Sequence, residues 1–430
     1  RFPSASGGDN AMNLRRYRVG GAVRDRLLGL PVREVDWVVV GATPEAMIAQ
    51  GFRQVGRDFP VFLHPETQDE HALARTERKA GAGHRGFVVH ADPAVTLEMD
   101  LARRDFTVNA IAEDADGRLI DPHGGQRDLE TRQLRHVSPA FSEDPLRVFR
   151  LARFAARFAD LGFAPAPETA ALCRDMAASG MLAELSAERV WQETARALME
   201  SARPRVYFET LRSVGALSTW FPELEALFGV PQRADYHPEV DTGVHTLMCI
   251  DYAASQGFEL AVRVSALAHD FGKALTPAEA LPRHPGHEHR GVPLVSAFCD
   301  RLRLPNRCRE VALVHTREHL LIHQAQQLRP STLLALLERL QALRKAGVFE
   351  PVLQASLSDA RGRTGFEDCE YPQVPYLQAA AAMALTVQAR DVMRDGLHGA
   401  AVGEALTAAR VAALQRWRAR EHADAGRALG

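Results

Sequence analysis

Glu34 and Asp36 stand one residue apart, directly before the apolar run Trp37–Val40. In an extended chain residues i and i+2 point to the same side, so both carboxylates share one face. Like charges that close repel unless a cation or hydrogen-bond donors sit between them. Hard oxygen ligands of this kind suit magnesium, which is often held by one or two carboxylates plus substrate phosphates. A solvated strand end is the competing reading. Upstream, "VGGAVRDRLLG" carries Gly20 and Gly21 into a helical pattern that begins near Ala22 and contains Arg24 and Asp25. Glycines let backbone N–H groups approach a phosphate, a helix N-terminus adds positive dipole, and Arg24 supplies a planar fork for phosphate oxygens. A Gly-Gly turn alone is usually only a turn. Together with two metal-suited carboxylates it points to nucleotidyl transfer.

A second set of chemical residues lies at 237–289, where "HPEVDTGVHT", "ALAHDFGK" and "RHPGHEHR" supply His237, His245, His269, Asp270, His284, His287 and His289. A single buried histidine is more often a hydrogen-bonded core residue than a ligand. The adjacent His269–Asp270 pair after an apolar run, with histidines on both sides, fits a borderline divalent metal site. His319 and His323 are four apart on one helical face and read as structural or supporting residues.

The elements around these residues divide the chain in two. Residues 17–120 mix strand-like runs ("DWVVV", "GFVVHA", "RLIDP") with the helix "TPEAMIAQG", which Thr43 caps, Pro44 opens and Gly51 ends. From about residue 140 the pattern is Ala, Leu and Arg at helical spacing, broken at "HPEVD" and "PRHPGH". The 430 residues suggest about three domains by the usual length prior. Hydrophobic residues at 46% and charged residues at 25% are ordinary globular values. No apolar run approaches the roughly 18 residues of a membrane span. Five scattered cysteines without a C-x-x-C pair argue against a disulfide framework and for a reducing cytoplasm. The first eleven residues precede Met12 without an apolar core and read as a remnant rather than a signal peptide. A formal net charge of −2 leaves any nucleic-acid role to local arginine clusters. One such cluster is Arg147, Arg150, Arg153 and Arg157, spaced to share a helix face. It becomes favourable opposite triphosphate or RNA backbone, the alternatives being a solvated face or pairing with distant acids. Asp144 before Pro145 is a natural helix cap. In "RRDFTVNA", Asp105 and Asn109 are expected to share a helical face after Arg103 and Arg104.

"VGGAVRDRLLGLPVREVDWVVVG", "RRDFTVNA" (103–110) and "FSEDPLRVFRLARFAARF" (141–158) resemble the bacterial CCA-adding tRNA nucleotidyltransferases of the polymerase-beta superfamily. The resemblance covers nearly the whole chain from Met12. It implies an α/β nucleotidyltransferase head at 12–140 and a mainly helical remainder. That remainder would be a neck at 141–225, an HD domain at 226–345 and a tRNA-contacting tail at 346–430. It further implies template-free addition of C, C and A to tRNA from CTP and ATP with magnesium, by a monomer or homodimer. Glu34 and Asp36 fall on the family's magnesium pair. Gly21, Arg24, Arg104, Arg150 and Arg153 fall on nucleotide-contacting positions, and Asp144 and Arg147 on the acid and arginine that hydrogen-bond the incoming base. This chain has Glu34 where the family usually has Asp, and the extra methylene shifts the carboxylate by about a bond length, which matters because catalysis tolerates little misplacement. Glu70 and Glu77 are candidates for a third carboxylate. The histidine region resembles HD-domain phosphohydrolases. That implies ligands at His245, His269, Asp270 and, more distantly, Asp359. It also implies phosphatase, 2′-nucleotidase and 2′,3′-cyclic phosphodiesterase activities supported by nickel or another divalent ion. The alternatives are a poly(A) polymerase of the same superfamily, or an HD phosphohydrolase or tRNA-binding protein with an inactive head.

Overall fold

The computed structural model describes residues 14–32, 34–55, 61–79, 87–344, 347–393 and 398–428. Residues 1–11, read above as a remnant, and the side chain of Glu77 lie outside the described residues. The chain forms two compact units, 1–186 and 187–430, so the division falls inside the range 141–225 expected for a neck.

In the first unit β1 (Arg15–Val19) lies antiparallel to β2 (Asp36–Val40), and β2 lies parallel to β5 (Glu70–Leu73). With β3 (Arg53–Val55), β4 (Val61–Leu63), β8 (Ala112–Glu113) and β9 (Leu119–Ile120) they make a mixed seven-stranded sheet, ordered β3-β4-β5-β2-β1-β8-β9. β6 (Arg75–Lys79) and β7 (Phe87–Ala91) form a separate antiparallel pair. The unbroken valines of β2 reflect a central strand covered on both faces. Val38 and Val40 pack with Val19, Leu97 and Leu101 on one side, while Val39 packs with Met47, Phe52 and Phe62 on the other. The helix Pro44–Ala49 is capped as its sequence predicts, Thr43 Oγ1 accepting from Ala46 N–H.

Three helices carry the chemistry of this unit: α1 (Gly21–Leu27), α2 (Leu97–Ala102) and α3 (Leu146–Arg157). The Asp144 carboxylate accepts from Leu146 N–H at 3.1 Å at the start of α3. One local expectation fails. Residues 105–109 do not form an α-helix; Thr107–Asn109 is a single 3₁₀ turn. Thr107 and Val108 are β-branched and a poor start for a helix, and the Asp105 carboxylate accepts from its neighbour Phe106 N–H instead.

Every named element of the second unit is a helix, among its described residues. Its site is built by α4 (Thr242–Ser255), α5 (Leu260–Ala268), α6 (His287–Leu302), α7 (Asn306–His323) and α8 (Phe349–Arg361). Ala253, Val262 and Ala355 pack α4, α5 and α8 together through small side chains. Further along lie α9 (Gln373–Leu385) and α10 (Ala400–Ala428), joined by a Tyr376–Trp417 ring contact at 5.1 Å. Among the described residues no helix is long and apolar enough to cross a membrane.

Candidate functional sites in the two units

Asp36 opens β2, and Glu34 precedes the strand rather than lying in it. Asp36 is in register with Val19 on β1 and with Glu70 on β5, so Glu70 is its acidic neighbour across the strand pair. The turn between β1 and α1 comes in close. Gly20 has φ +69°, and a Cβ on it would lie 2.9 Å from Arg104 Nη1 and 3.9 Å from Asp36 Oδ2. Only glycine permits that backbone conformation and leaves room for Arg104. The surrounding protein raises the Asp36 carboxyl above its ordinary range; Arg104 opposes this and Glu34 adds to it. Asp36 nevertheless keeps an exposed surface. Two acids at an open strand end, beside an arginine and a glycine turn, form a donor set suited to a hard divalent cation and a phosphate.

Arg104 is aimed by Asp100, which is fully buried and accepts from Arg103 and Arg104 at 2.9 and 3.1 Å. Burial alone would raise the Asp100 carboxyl, but these two guanidiniums hold it low. Behind the turn lies a second polar network. Arg24 is buried and donates to Asp25 and to Asn109, its guanidinium lying 5.0 and 4.9 Å from the rings of Phe154 and Phe158. Asn109 donates to Asp105 at 2.9 Å, Arg150 donates to Asp105 at 2.7 Å, and Arg157 donates to Asp25 at 2.8 Å. Arg24 is therefore not an open phosphate fork here; it ties α1 to the 3₁₀ turn and to α3. Of the α3 arginines, Arg150 and Arg157 pair with acids distant in sequence. Arg153 is buried, 4.1 Å from the Phe154 ring centre, and Arg147 donates to the carbonyls of Ala140 and Arg103 at 3.1 and 2.6 Å. Arg147 thus bridges the loop before α3 to the residue next to Arg104.

In the second unit His245, His269, Asp270 and Asp359 converge. His245 Nε2 lies 3.1 Å from Asp359 Oδ1 and 3.9 Å from Asp270 Oδ2; His269 Nε2 lies 3.6 and 3.3 Å from the same two oxygens. All four are buried. Neither His269 Nε2 nor either Asp270 oxygen makes a hydrogen bond of normal geometry, which is costly for buried polar atoms unless something binds between them. Burial would raise the Asp270 and Asp359 carboxyls. His269 and Lys273 hold the first well below its usual range, and His269 and His323 hold the second. The rear of each imidazole is fixed: His269 Nδ1 donates to Ala266 C=O at 2.8 Å, while His245 Nδ1 faces Gly362 C=O and Glu239 Oε1, each at 3.1 Å. Such anchoring of the far nitrogen leaves Nε2 available to a metal.

The structure adds residues that spacing did not assign. Asp270 Oδ1 lies 3.3 Å from His287 Nε2 and 3.9 Å from His319 Nε2, a second compact donor group. Lys273 Nζ lies 2.6 Å from Asp270 Oδ2. Glu239 also accepts from His237 Nδ1 at 3.2 Å, and Cys249 Sγ sits with His245, His269 and Asp359. His284 is held by Thr276 and the Pro231 carbonyl, and His289 is largely exposed, so neither joins the cluster. The His319–His323 spacing was the signal for α7; nothing local marked Glu239.

Residues 16–135 match the poly A polymerase head domain, 162–228 the probable RNA and SrmB-binding site of polymerase A, and 242–343 the HD domain. A multifunctional CCA protein of Thioalkalivibrio sulfidiphilus is 60% identical over 94% of this chain and 99% of its own length. The chain belongs to the multifunctional CCA protein family. A second member, from Alkalilimnicola ehrlichii, is 58% identical over 93% of this chain and 97% of its own. Among solved structures, the Bacillus stearothermophilus CCA-adding enzyme in complex with CTP matches at TM-score 0.61 and 23% identity, covering 97% of this chain and 95% of that one. A Thermotoga maritima CCA-adding enzyme complexed with tRNA matches at 0.61 and 18%, covering 94% and 88%. This chain thus shares its fold with solved CCA-adding enzymes, and its nucleotidyltransferase head with a mixed sheet is followed by a helical region and an HD domain.

Proposed function

We propose that this protein completes the 3′-terminal CCA of tRNA from CTP and ATP in its first unit and hydrolyses phosphoesters in its second. The observation that carries the first activity is the close approach of Gly20, Arg104 and Asp36, with Glu34 and Glu70 alongside. Glu34 and Asp36 would hold magnesium, which supplies Lewis-acid activation of the attacking hydroxyl and charge neutralisation at the triphosphate. Arg104, aimed by Asp100, binds triphosphate oxygens, and the Gly20–Gly21 turn brings backbone N–H groups to them. Asp144 and Arg147 would supply an acceptor and a fork of donors, the elements of a Watson–Crick edge, once Arg147 releases the Ala140 and Arg103 carbonyls, so that the protein selects the base without a template. Arg24, Asn109, Asp105 and Arg150 hold these parts in register. Gly21 and Arg153 belong to the same nucleotide-binding region.

In the second unit His245, His269, Asp270 and Asp359 would hold nickel or another divalent ion, which supplies an activated water for attack on phosphorus. The cluster fits such an ion because two imidazole nitrogens and two carboxylates converge in a buried space, with His269 Nε2 making no hydrogen bond there. The substrates are 2′,3′-cyclic phosphates, 2′-nucleotides and related monoesters. The head spans 12–140, the neck 141–225, the HD domain 226–345 and a tRNA-gripping tail 346–430, acting in the cytoplasm. The deciding experiment supplies labelled CTP and ATP to the purified protein with magnesium and a tRNA lacking CCA. Ordered addition of two C and one A supports the reading. Runs of A alone would indicate a poly(A) polymerase, and no incorporation would indicate an inactive head.

A further inference from the structure

The buried cluster of the second unit opens to solvent beside His237 and His323. Their side chains keep 19% and 28% of their surface exposed, against 9% or less for His245, His269, Asp270 and Asp359. Tyr236 stands next to His237 on that border and is 55% exposed. Two contacts tie it to the ligand residues. The His237 ring packs 4.6 Å from that of His245, and the Tyr236 carbonyl accepts from Arg363 at 3.1 Å, four residues beyond Asp359. Tyr236 is one step of about 3.8 Å along the chain from His237, which leaves its ring within one nucleoside's length of the cluster. On the other border Tyr371 OH meets His323 Nδ1 at 2.8 Å.

Single exposed apolar side chains are normal on a protein surface and need no explanation. Tyr236 differs in how its loop is built. The N–H groups of Tyr236 and His237 donate to the Arg233 carbonyl at 3.1 and 2.9 Å, and Gln232 N–H donates to the Val240 carbonyl at 2.7 Å. Thr364 N–H donates to Glu239 Oε2 at 3.3 Å, so the loop is also tied to the segment after α8. Within it Val240 is held at φ +59°, a conformation that β-branched residues rarely adopt. Backbone strain of this kind persists only where the surroundings impose it, and it clusters at ligand clamps. Here the same strained loop sets Glu239 behind His245 and Tyr236 at the opening. The Arg233 guanidinium lies 4.9 Å from the Tyr236 ring centre, so a cation steadies an aromatic ring that otherwise faces water.

We propose that Tyr236 is the base-stacking residue of the second unit's site, which makes that unit selective for nucleoside phosphates over phosphoesters that lack a base. The inference rests on the phosphohydrolase reading of the same site and names what that site recognises in its substrate. The phosphate lies at the metal ligands, the ribose passes His237 and Arg363, and the base rests on the Tyr236 ring. Every base has a π-face, so stacking of this kind favours nucleotides without choosing strongly among them.

The test uses the full chain with nickel(II) and two substrates, 2′,3′-cyclic AMP and glycerol 1,2-cyclic phosphate, which carries the same five-membered phosphodiester ring without a base. The wild type is expected to show the lower KM for 2′,3′-cyclic AMP. Tyr236→Ala should raise that KM by roughly 5- to 150-fold, the loss of one stacked base, and leave kcat and the hydrolysis of glycerol 1,2-cyclic phosphate unchanged. Tyr236→Phe and Tyr236→Trp should keep the low KM. A KM that rises alike for both substrates, or for neither, would overturn the stacking role, as would a Tyr236→Phe variant that behaves like Tyr236→Ala. Equal kcat/KM for the two substrates in the wild type would overturn it as well and leave the phosphohydrolase standing. A wild type that hydrolyses neither would overturn the phosphohydrolase reading and this inference with it.

Discussion

His245 Nε2 lies 3.1 Å from Asp359 Oδ1 across 114 residues of chain. The other carboxylate oxygen, Oδ2, is held at 2.8 Å by His323 Nε2, and Tyr371 OH meets the far side of that imidazole at 2.8 Å. Asp359 is therefore oriented from behind, so that Oδ1 turns toward His245 and His269. An acid fixed in this way has lost little further freedom to lose on binding a cation, which favours a preformed site over one assembled by its ligand.

In the head, Asp36→Ala should abolish nucleotide addition, because it removes the carboxylate nearest the Gly20 turn, and should leave 2′,3′-cyclic phosphodiesterase activity intact. Glu34→Asp should retain addition and raise its rate, since it shortens the ligand to the family's usual length. Single-turnover CTP incorporation checks both. Substantial addition by Asp36→Ala, or complete loss in Glu34→Asp, would show that the metal geometry has been rebuilt around other acids such as Glu70.

Arg147→Ala separates two jobs of one guanidinium. If it reads the base edge, discrimination among CTP, UTP and ATP should fall by roughly 5- to 150-fold, the equivalent of about 1–3 kcal/mol for a bidentate base contact. If it serves only to clamp the Ala140 and Arg103 carbonyls, all three nucleotides should suffer alike through displacement of Arg104. Measuring kcat/KM for each nucleotide decides between selectivity and uniform loss; the first is the expected result.

Asp105 joins Arg150 to Asn109, and although burial would raise its carboxyl, Arg150 first and Asn109 next hold it well below the usual carboxylate range. A carboxylate with a depressed folded pKa contributes stability that is present above its unfolded value, about 4, and is lost as pH falls below it. Asp105→Asn should therefore destabilise the head by ~2 kcal/mol near neutrality, the order expected for losing hydrogen bonds to a charged group. The difference from wild type should shrink as pH falls below about 4. Calorimetric melting across that range is the measurement, and a gap that stays constant into acid would show that Asp105 contributes by shape and not by charge.

Much of this arrangement was legible from short stretches, because neighbouring residues decide it. The Gly20–Gly21 turn, β2, the Thr43 cap and the Asp144 cap all follow from local geometry, and each appears where its sequence puts it. Arg24 was read as open to phosphate because its burial depends on Phe154, Phe158 and Asn109, residues 85 to 134 positions away and brought in by packing of α1 on the 3₁₀ turn and α3. Residues 105–109 misled for the opposite reason, a helical spacing overridden by the side-chain bond of Asp105 to its own backbone neighbour. In the second unit the His-Asp pair marked the centre. Glu239 and His287 join it only through the tertiary meeting of the helices α4 and α6 and their loops, which no single stretch encodes.

His269→Ala or Asp270→Ala should eliminate hydrolysis of 2′,3′-cyclic AMP and leave CCA addition largely intact. The motive is placement: both residues lie in the unit 187–430, whereas Asp36 and Arg104 lie in 1–186. Asp270→Asn is the gentler companion, since it keeps the side-chain volume beside Lys273, His287 and His319 while removing the charge a metal needs. Metal content measured on the purified variants supplies a readout independent of turnover, and it should fall in all three. Metal binding and folding are coupled, so a loosened HD domain would show as a raised KM for tRNA with kcat for nucleotide addition preserved. A loss of kcat for addition equal to the loss of hydrolysis would mean that one active site performs both reactions, and the assignment of separate chemistries to the two units would fall.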